Sequence, residues 1–119
     1  MNILEFLLSL NNQIKIYHWN TESHAEHEAF GKTYSELDSL IDEFVETYMG
    51  KYGRVNSKNK FAIYLMDYSE NAESHIKHYI DYLSNEFKNL LKEEDTDLLN
   101  IRDEMVGKLN KLIYLLSLK

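Results

Sequence analysis

The sequence predicts an all-α fold: one domain, residues 1–119, forming a four-helix bundle with one long crossover between its second and third helices. Three observations carry this expectation. The chain contains no proline and only four glycines, whereas a β protein needs chain-reversing residues at every hairpin. Apolar residues recur at three- and four-residue steps along four long segments, the period of an amphipathic helix. The corners at the first–second and third–fourth junctions are short, and the middle connection is longer.

The first helical pattern runs from about Ile3 to Trp19, with Ile3, Leu7, Leu10, Ile14 and Tyr17 on one face. Asn2 followed by Glu5 predicts a reciprocal N-cap. Leu4, Phe6 and Leu8 widen the apolar surface beyond one stripe, which suits a second buried contact, with another subunit for example. Asn20-Thr21-Glu22-Ser23 is the break, and Ser23 with Glu26 predicts a capping box for the next helix. That helix is expected from about His24 to Met49, with Phe30, Tyr34, Leu37, Ile41, Phe44 and Tyr48 as its stripe. Gly50 is expected to end it, and Lys51 to Ser57 to form the main loop.

The third pattern is expected from about Lys58 to Lys92, with a break near Asp67–Ser69 and Ala72, Ile76, Tyr79, Leu83, Phe87 and Leu90 inward. The acidic run Glu93 to Asp97 is the turn, with Asp95 or Thr96 as cap of the last helix. That helix spans about Asp97 to Leu118, with Leu98, Ile101, Met105, Leu109, Leu112 and Leu116 inward. Ferritin-like bundles have this connectivity; simple up-down bundles do not need it.

Composition excludes several functional classes. With 20 acidic and 13 basic residues the net charge is −7, so phosphate backbones repel the chain and nucleic acid is disfavoured as a partner. The absence of cysteine excludes disulfides, thiolate zinc sites and thiol nucleophiles. No segment is apolar enough to span a bilayer, and the N-terminus lacks the cationic lead-in of a signal peptide. A cytoplasmic protein with no membrane partner is the expectation. Nucleophile–base pairs, phosphate loops and nucleotide fingerprints are absent from the sequence.

The chemistry-bearing residues cluster between Tyr17 and Glu46. His18 and His27 flank the first corner, and Asp42 and Glu46 follow one helical turn apart, so their carboxylates share a side. Imidazole with carboxylate suits iron, manganese or zinc. On a helical wheel Asp42 lies roughly 120° and Glu46 roughly 160° from the middle of the apolar stripe. They therefore point away from their own core, either as a solvated acidic flank or as ligands covered by a second copy of the chain. His24 is nearer the corner and more exposed. His75 and His78 sit on the third helix, where His75 reads as a packed core histidine. The fourth helix offers no Glu-x-x-His partner, which disfavours a di-iron core within one subunit. Trp19, the one tryptophan, is either corner packing or an oxidisable ring beside iron.

Tyr17-His18-Trp19-Asn20, His27-Glu28, Asp42 and Glu46 resemble the Dps family of ferritin-like proteins, the miniferritins. In that family a His-Trp-Asn motif closes the first helix, a His-Glu pair begins the second, and an Asp and a Glu follow at the separations seen here. The resemblance implies that His18 and His27 are metal ligands from one subunit, and Asp42 and Glu46 those from its two-fold mate. It places Glu28 behind the ligands and Trp19 as the radical-quenching residue of a ferroxidase centre. It also implies oxidation of Fe(II) by peroxide or dioxygen, zinc as a surrogate metal, and storage of ferric mineral in a homo-oligomer. A dimer is the minimal unit of that assembly, and a shell commonly has twelve subunits. Gly31 stands where the family carries another acidic ligand, and the family's basic DNA-holding tail is absent. The non-enzymatic alternative is a helical bundle serving as a structural or interaction module with a structural metal.

Overall fold

A computed structural model describes residues 2–67 and 71–118. The described residues contain helices and no strand. Helix α1 spans Ile3–Asn20, α2 His24–Tyr52, α3 Ala72–Asp81, α4 Phe87–Asn89 and α5 Thr96–Leu116, and a π-helical turn, Tyr82–Glu86, joins α3 to α4. Four rods result, because α3, the π turn and α4 are continuous. Helix α1 packs against α2, α2 against α5, and α5 against α3. The molecule measures 43 × 31 × 21 Å.

The apolar stripes meet as their spacing predicts. Ile3, Leu7, Leu10, Ile14 and Tyr17 of α1 are buried, as are Phe30, Leu37 and Phe44 of α2 and Leu98, Ile101, Met105, Leu109 and Leu112 of α5. Full burial of each such side chain contributes about 1.5–3 kcal/mol relative to exposure. Phe6, beyond the first stripe, is buried against the third rod, stacking on Tyr82 with ring centroids 4.0 Å apart and meeting Phe87 in a tilted contact at 5.8 Å. On that rod Ala72, Ile76, Leu83 and Phe87 face inward. The expected inner Leu90 is exposed and Leu91 is buried instead, because the helix ends at Asn89 and the chain turns there.

The wide π turn weakens the local backbone ladder. Arg102 of α5 compensates: its Nη1 donates to the carbonyls of Leu83 at 2.9 Å and Ser84 at 3.5 Å.

The starts of α1 and α2 follow the caps read from sequence, with one change. Asn2 and Glu5 form the reciprocal pair, each accepting the other's backbone N–H at 2.9 Å. Ser23 Oγ accepts from the Glu26 N–H at 3.3 Å. The Glu26 carboxylate, however, accepts from the Thr21 hydroxyl at 2.7 Å, and that hydroxyl oxygen accepts the Ser23 N–H at 3.1 Å. Thr21 is thus inserted into the expected capping box as a relay.

Two expected boundaries are corrected. Helix α2 runs through Gly50 and ends at Gly53, whose φ of +87° suits glycine. The helix expected from Lys58 begins only at Ala72, and residues 53–67 are neither helix nor strand. The break expected near Asp67–Ser69 falls largely outside the described residues. Phe61 and Leu65 have helical spacing, but both are exposed, so no apolar face rewards a helix there. The strap's backbone is held instead by side chains of α1. Glu5 accepts from the Ala62 N–H at 2.7 Å. Gln13, 1% exposed, donates to the Met66 carbonyl and accepts the Met66 N–H, both at 2.8 Å. The backbone N–H groups of Asn2 and, to a lesser extent, Ala62 hold the Glu5 carboxyl below the usual glutamate range.

At the end of α2 a second clasp forms. Buried Asp95 accepts from Lys51 Nζ at 2.6 Å, the Tyr52 hydroxyl at 2.5 Å and the Lys92 N–H at 2.9 Å. Lys51 also reaches Asp97 at 2.9 Å. Asp95 or Thr96 was expected as the cap of α5; Asp95 is the N-cap residue, but its side chain makes no capping bond because its oxygens serve α2 and the preceding turn.

Two outcomes follow from these clasps. Gln13→Ala removes both bonds to Met66 and costs about 1–2 kcal/mol in denaturant unfolding, with faster amide exchange at Met66. The second outcome concerns acid. Lys51, then Tyr52 and the Lys92 amide, hold Asp95 down from 3.8 to about 2. A depressed carboxylate stabilises the fold above its unfolded value and loses that contribution as pH falls through the folded value. Thermal stability therefore drops between about pH 4 and pH 2, and Asp95→Asn flattens that part of the acid profile.

Candidate metal centre

Two histidines are fixed to each other across the α1–α2 corner. His18 lies in the last turn of α1, where backbone carbonyls lack intrahelical donors. His27 lies in the first turn of α2. His27 Nδ1 sits 2.8 Å from the His18 carbonyl, and His18 Nδ1 sits 2.7 Å from the His27 carbonyl. A carbonyl only accepts, so each Nδ1 carries the proton and donates. In the neutral ring this leaves a lone pair on Nε2 of both histidines. A metal-binding histidine is usually oriented in this way, its second nitrogen donating to a carbonyl or carboxylate.

The rings stack, with centroids 3.8 Å apart and planes inclined by 16°. Tyr34 meets His18 edge-on at 5.4 Å. The floor beneath His18 is Gly31: a Cβ built there would lie 2.7 Å from His18 Cε1 and 2.9 Å from Nδ1. Such a contact is too close for any side chain, so Gly31 is the residue that lets the ring lie on α2. Each Nε2 lone pair lies in the plane of its own ring, and the two planes are near-parallel and stacked, so the rings must splay before both bind one ion.

The carboxylates expected to complete a site are elsewhere in the subunit. Asp42 and Glu46 are exposed on α2. Asp38, one turn before Asp42, accepts from Asn11 Nδ2 of α1 at 3.2 Å, which fixes this acidic flank beside α1. Among the described residues no group of three or more His, Asp or Glu could hold a metal. The subunit brings His18 and His27 together and leaves Asp42 and Glu46 facing outward. His24 is exposed, 3.9 Å from Glu28, with its ring 6.5 Å from that of His27. Trp19 is 67% exposed, at the end of α1.

One pair was not legible as a pair. Tyr17 is fully buried, and its hydroxyl lies 2.6 Å from His75 Nδ1. The rings are near-parallel, inclined by 11°. Burial pushes the Tyr17 phenol up to about 12. Each residue was recognisable as inward-facing, but the two are 58 positions apart, and no local spacing links them.

A family model described as "Family of unknown function (DUF5856)" matches residues 18–116, a span that contains all four expected ligands. An uncharacterized 14.6 kDa protein encoded in the mobD-ri intergenic region of Enterobacteria phage T4 is 33% identical over 102 residues. That alignment covers 86% of this chain and 75% of the phage protein. No solved structure matches the chain.

The role of Gly31 can be tested directly. Gly31→Ala should expel the His18 ring from α2, break both imidazole–carbonyl bonds and weaken Zn(II) binding at least tenfold, a loss of about 1.4 kcal/mol. Histidine side-chain NMR with and without Zn(II) reports both effects.

Proposed function

We propose, for a chain that belongs to the DUF5856 family, an iron-oxidising and iron-storing role at sites shared between two copies of the chain. The observation that carries the reading is the reciprocal pinning of His18 and His27 through Nδ1, which leaves the lone pair of each neutral ring on Nε2. Two nitrogen donors alone hold an Fe(II) ion weakly. The missing donors are oxygens, and Asp42 and Glu46 present them one turn apart on a face their own subunit leaves uncovered. A two-fold mate placed against α1 and α2 would bring its Asp42 and Glu46 to these imidazoles. Carboxylates favour the ferric product, while the histidines suit the ferrous substrate. The substrate is Fe(II), the oxidant peroxide or dioxygen, and the product a ferric mineral held by the homo-oligomer.

In this proposal α2 and the third rod run parallel, joined by the strap along α1, so the chain is a ferritin-like bundle with one long crossover. The strap's bonds to Glu5 and Gln13, and the approach of His75 to Tyr17 at the opposite end of α1, support that path. The resemblance to the Dps family supplies the functional class. Trp19, exposed beside the corner, would lie at the shared interface as an oxidisable ring.

A second reading has its own observation. The imidazoles stack rather than converge, as suits a rigid corner in a structural or interaction module. In that reading the protein is a stable dimer that binds Zn(II) without oxidising Fe(II).

Subunit complementation separates the two readings. A variant carrying His18→Ala and His27→Ala, and another carrying Asp42→Ala and Glu46→Ala, should each fail to oxidise Fe(II) saturably on peroxide addition. Co-refolded together, they form heterodimers in which one of the two sites has all four ligands, and oxidation returns. Wild-type protein without saturable oxidation would favour the structural module; active parents, or mixtures that stay inactive, would remove the shared site.

A further inference from the structure

The proposed centre leaves an electron unaccounted for. Peroxide takes two electrons on reduction to water, and one Fe(II) supplies one. The four ligands of the shared site suffice for a single ion, and Gly31 provides no side chain with which to extend it. A second electron must come from another ion or from the protein.

We propose that the Tyr17–His75 pair is that source, acting as a redox-active tyrosine coupled to a proton acceptor; the proposal rests on the iron-oxidising reading above. Tyr17 directly precedes His18 on α1, so the phenol adjoins the ligand in the chain. Its hydroxyl lies 2.6 Å from His75 Nδ1, within direct proton-transfer distance, and donates to that nitrogen when the neutral ring carries its proton on Nε2. An oxidised phenol is a strong acid, and losing its electron is eased when a base in contact takes the proton. Burial of Tyr17 and its packing on Phe30, with ring centroids 5.6 Å apart, keep the resulting radical from solvent.

Other described tyrosines are less suited. Among the described residues Tyr79 and Tyr82, both half-buried, have no hydrogen-bonded base, and Tyr64 is exposed. Tyr52 donates to the Asp95 carboxylate at 2.5 Å, but its place is the far end of α2, away from His27.

The step balances as follows. Fe(II) gives one electron and becomes Fe(III). Tyr17 gives one electron and becomes a neutral phenoxyl radical, its proton passing to His75 Nδ1 to form imidazolium. Hydrogen peroxide accepts both electrons with two protons from solvent, its O–O bond breaks, and two waters form. The unpaired electron stays on the protein and no hydroxyl radical is released.

Freeze-quench electron paramagnetic resonance tests this, after equimolar Fe(II) and hydrogen peroxide are mixed with the full-length protein. Wild type and Tyr52→Phe should show a tyrosyl signal; Tyr17→Phe should lose at least nine-tenths of it and release spin-trappable hydroxyl radical. His75→Gln should weaken the signal severalfold while Fe(II) still binds. Tyrosyl signals of equal size in wild type and Tyr17→Phe would overturn the proposal, as would saturable iron oxidation in wild type with no tyrosyl signal.

If wild type shows no saturable iron oxidation, the iron reading fails by itself. The pair is then tested on metal-free protein with a flash-generated ruthenium(III) polypyridyl oxidant. A phenoxyl signal that depends on both Tyr17 and His75 supports the redox assignment, and one unchanged by Tyr17→Phe overturns it.

Discussion

The reciprocal hydrogen bonding of two imidazoles to two backbone carbonyls is the constraint on which the candidate centre depends. It joins the end of α1 to the start of α2 and satisfies a carbonyl that a helix terminus would otherwise leave open. It also places the proton of each neutral ring on Nδ1, so that Nε2 is the nitrogen able to bind a metal. Gly31 is part of the same device: the close seating of His18 on α2 is available only where no Cβ intervenes. At the sequence level Gly31 looked like a lost acidic ligand. In the fold it is the floor of the histidine pair, and its lack of a side chain has a positive steric function.

Away from the corner, the bundle is closed by polar clasps as well as apolar stripes. Gln13 and Glu5 of α1 hold the backbone of the strap, and Asp95 ties the end of α2 to the start of α5. Both clasps use groups whose removal would strand buried or partly buried partners, which makes them costlier to lose than surface ion pairs. They also determine which surfaces stay open. With the strap held against α1 at Glu5 and Gln13, Leu8 and Trp19 remain exposed on that helix, and Asp42 and Glu46 remain exposed on α2. These are the surfaces a second copy would need.

How much of this was readable in the sequence depended on whether the information was local. The stripes of α1, α2 and α5 were legible because helical periodicity is local, and every inward residue named for α1 is buried. The Asn2–Glu5 cap was legible for the same reason. The strap was misread as helix because the groups that keep it extended, Glu5 and Gln13, lie some fifty positions away. Gly50 was taken as a helix end because glycine favours ends, but the ties of Lys51 and Tyr52 to Asp95 carry α2 on to Gly53. The proximity of His18 and His27 was legible from the short corner. Their stacking, the seat at Gly31 and the Tyr17–His75 contact were not, since each depends on how the helices are rotated and spaced after packing.

The central claim is that one ion is held by imidazoles of one copy and carboxylates of another. Anomalous diffraction from crystals soaked in Zn(II), a redox-silent stand-in for Fe(II), tests it most directly. The account predicts a peak at a two-fold-related interface, about 2.0–2.2 Å from His18 or His27 Nε2 of one subunit and from Asp42 or Glu46 oxygens of the other. A peak held wholly within one subunit, or an interface that keeps those four side chains apart, would contradict it.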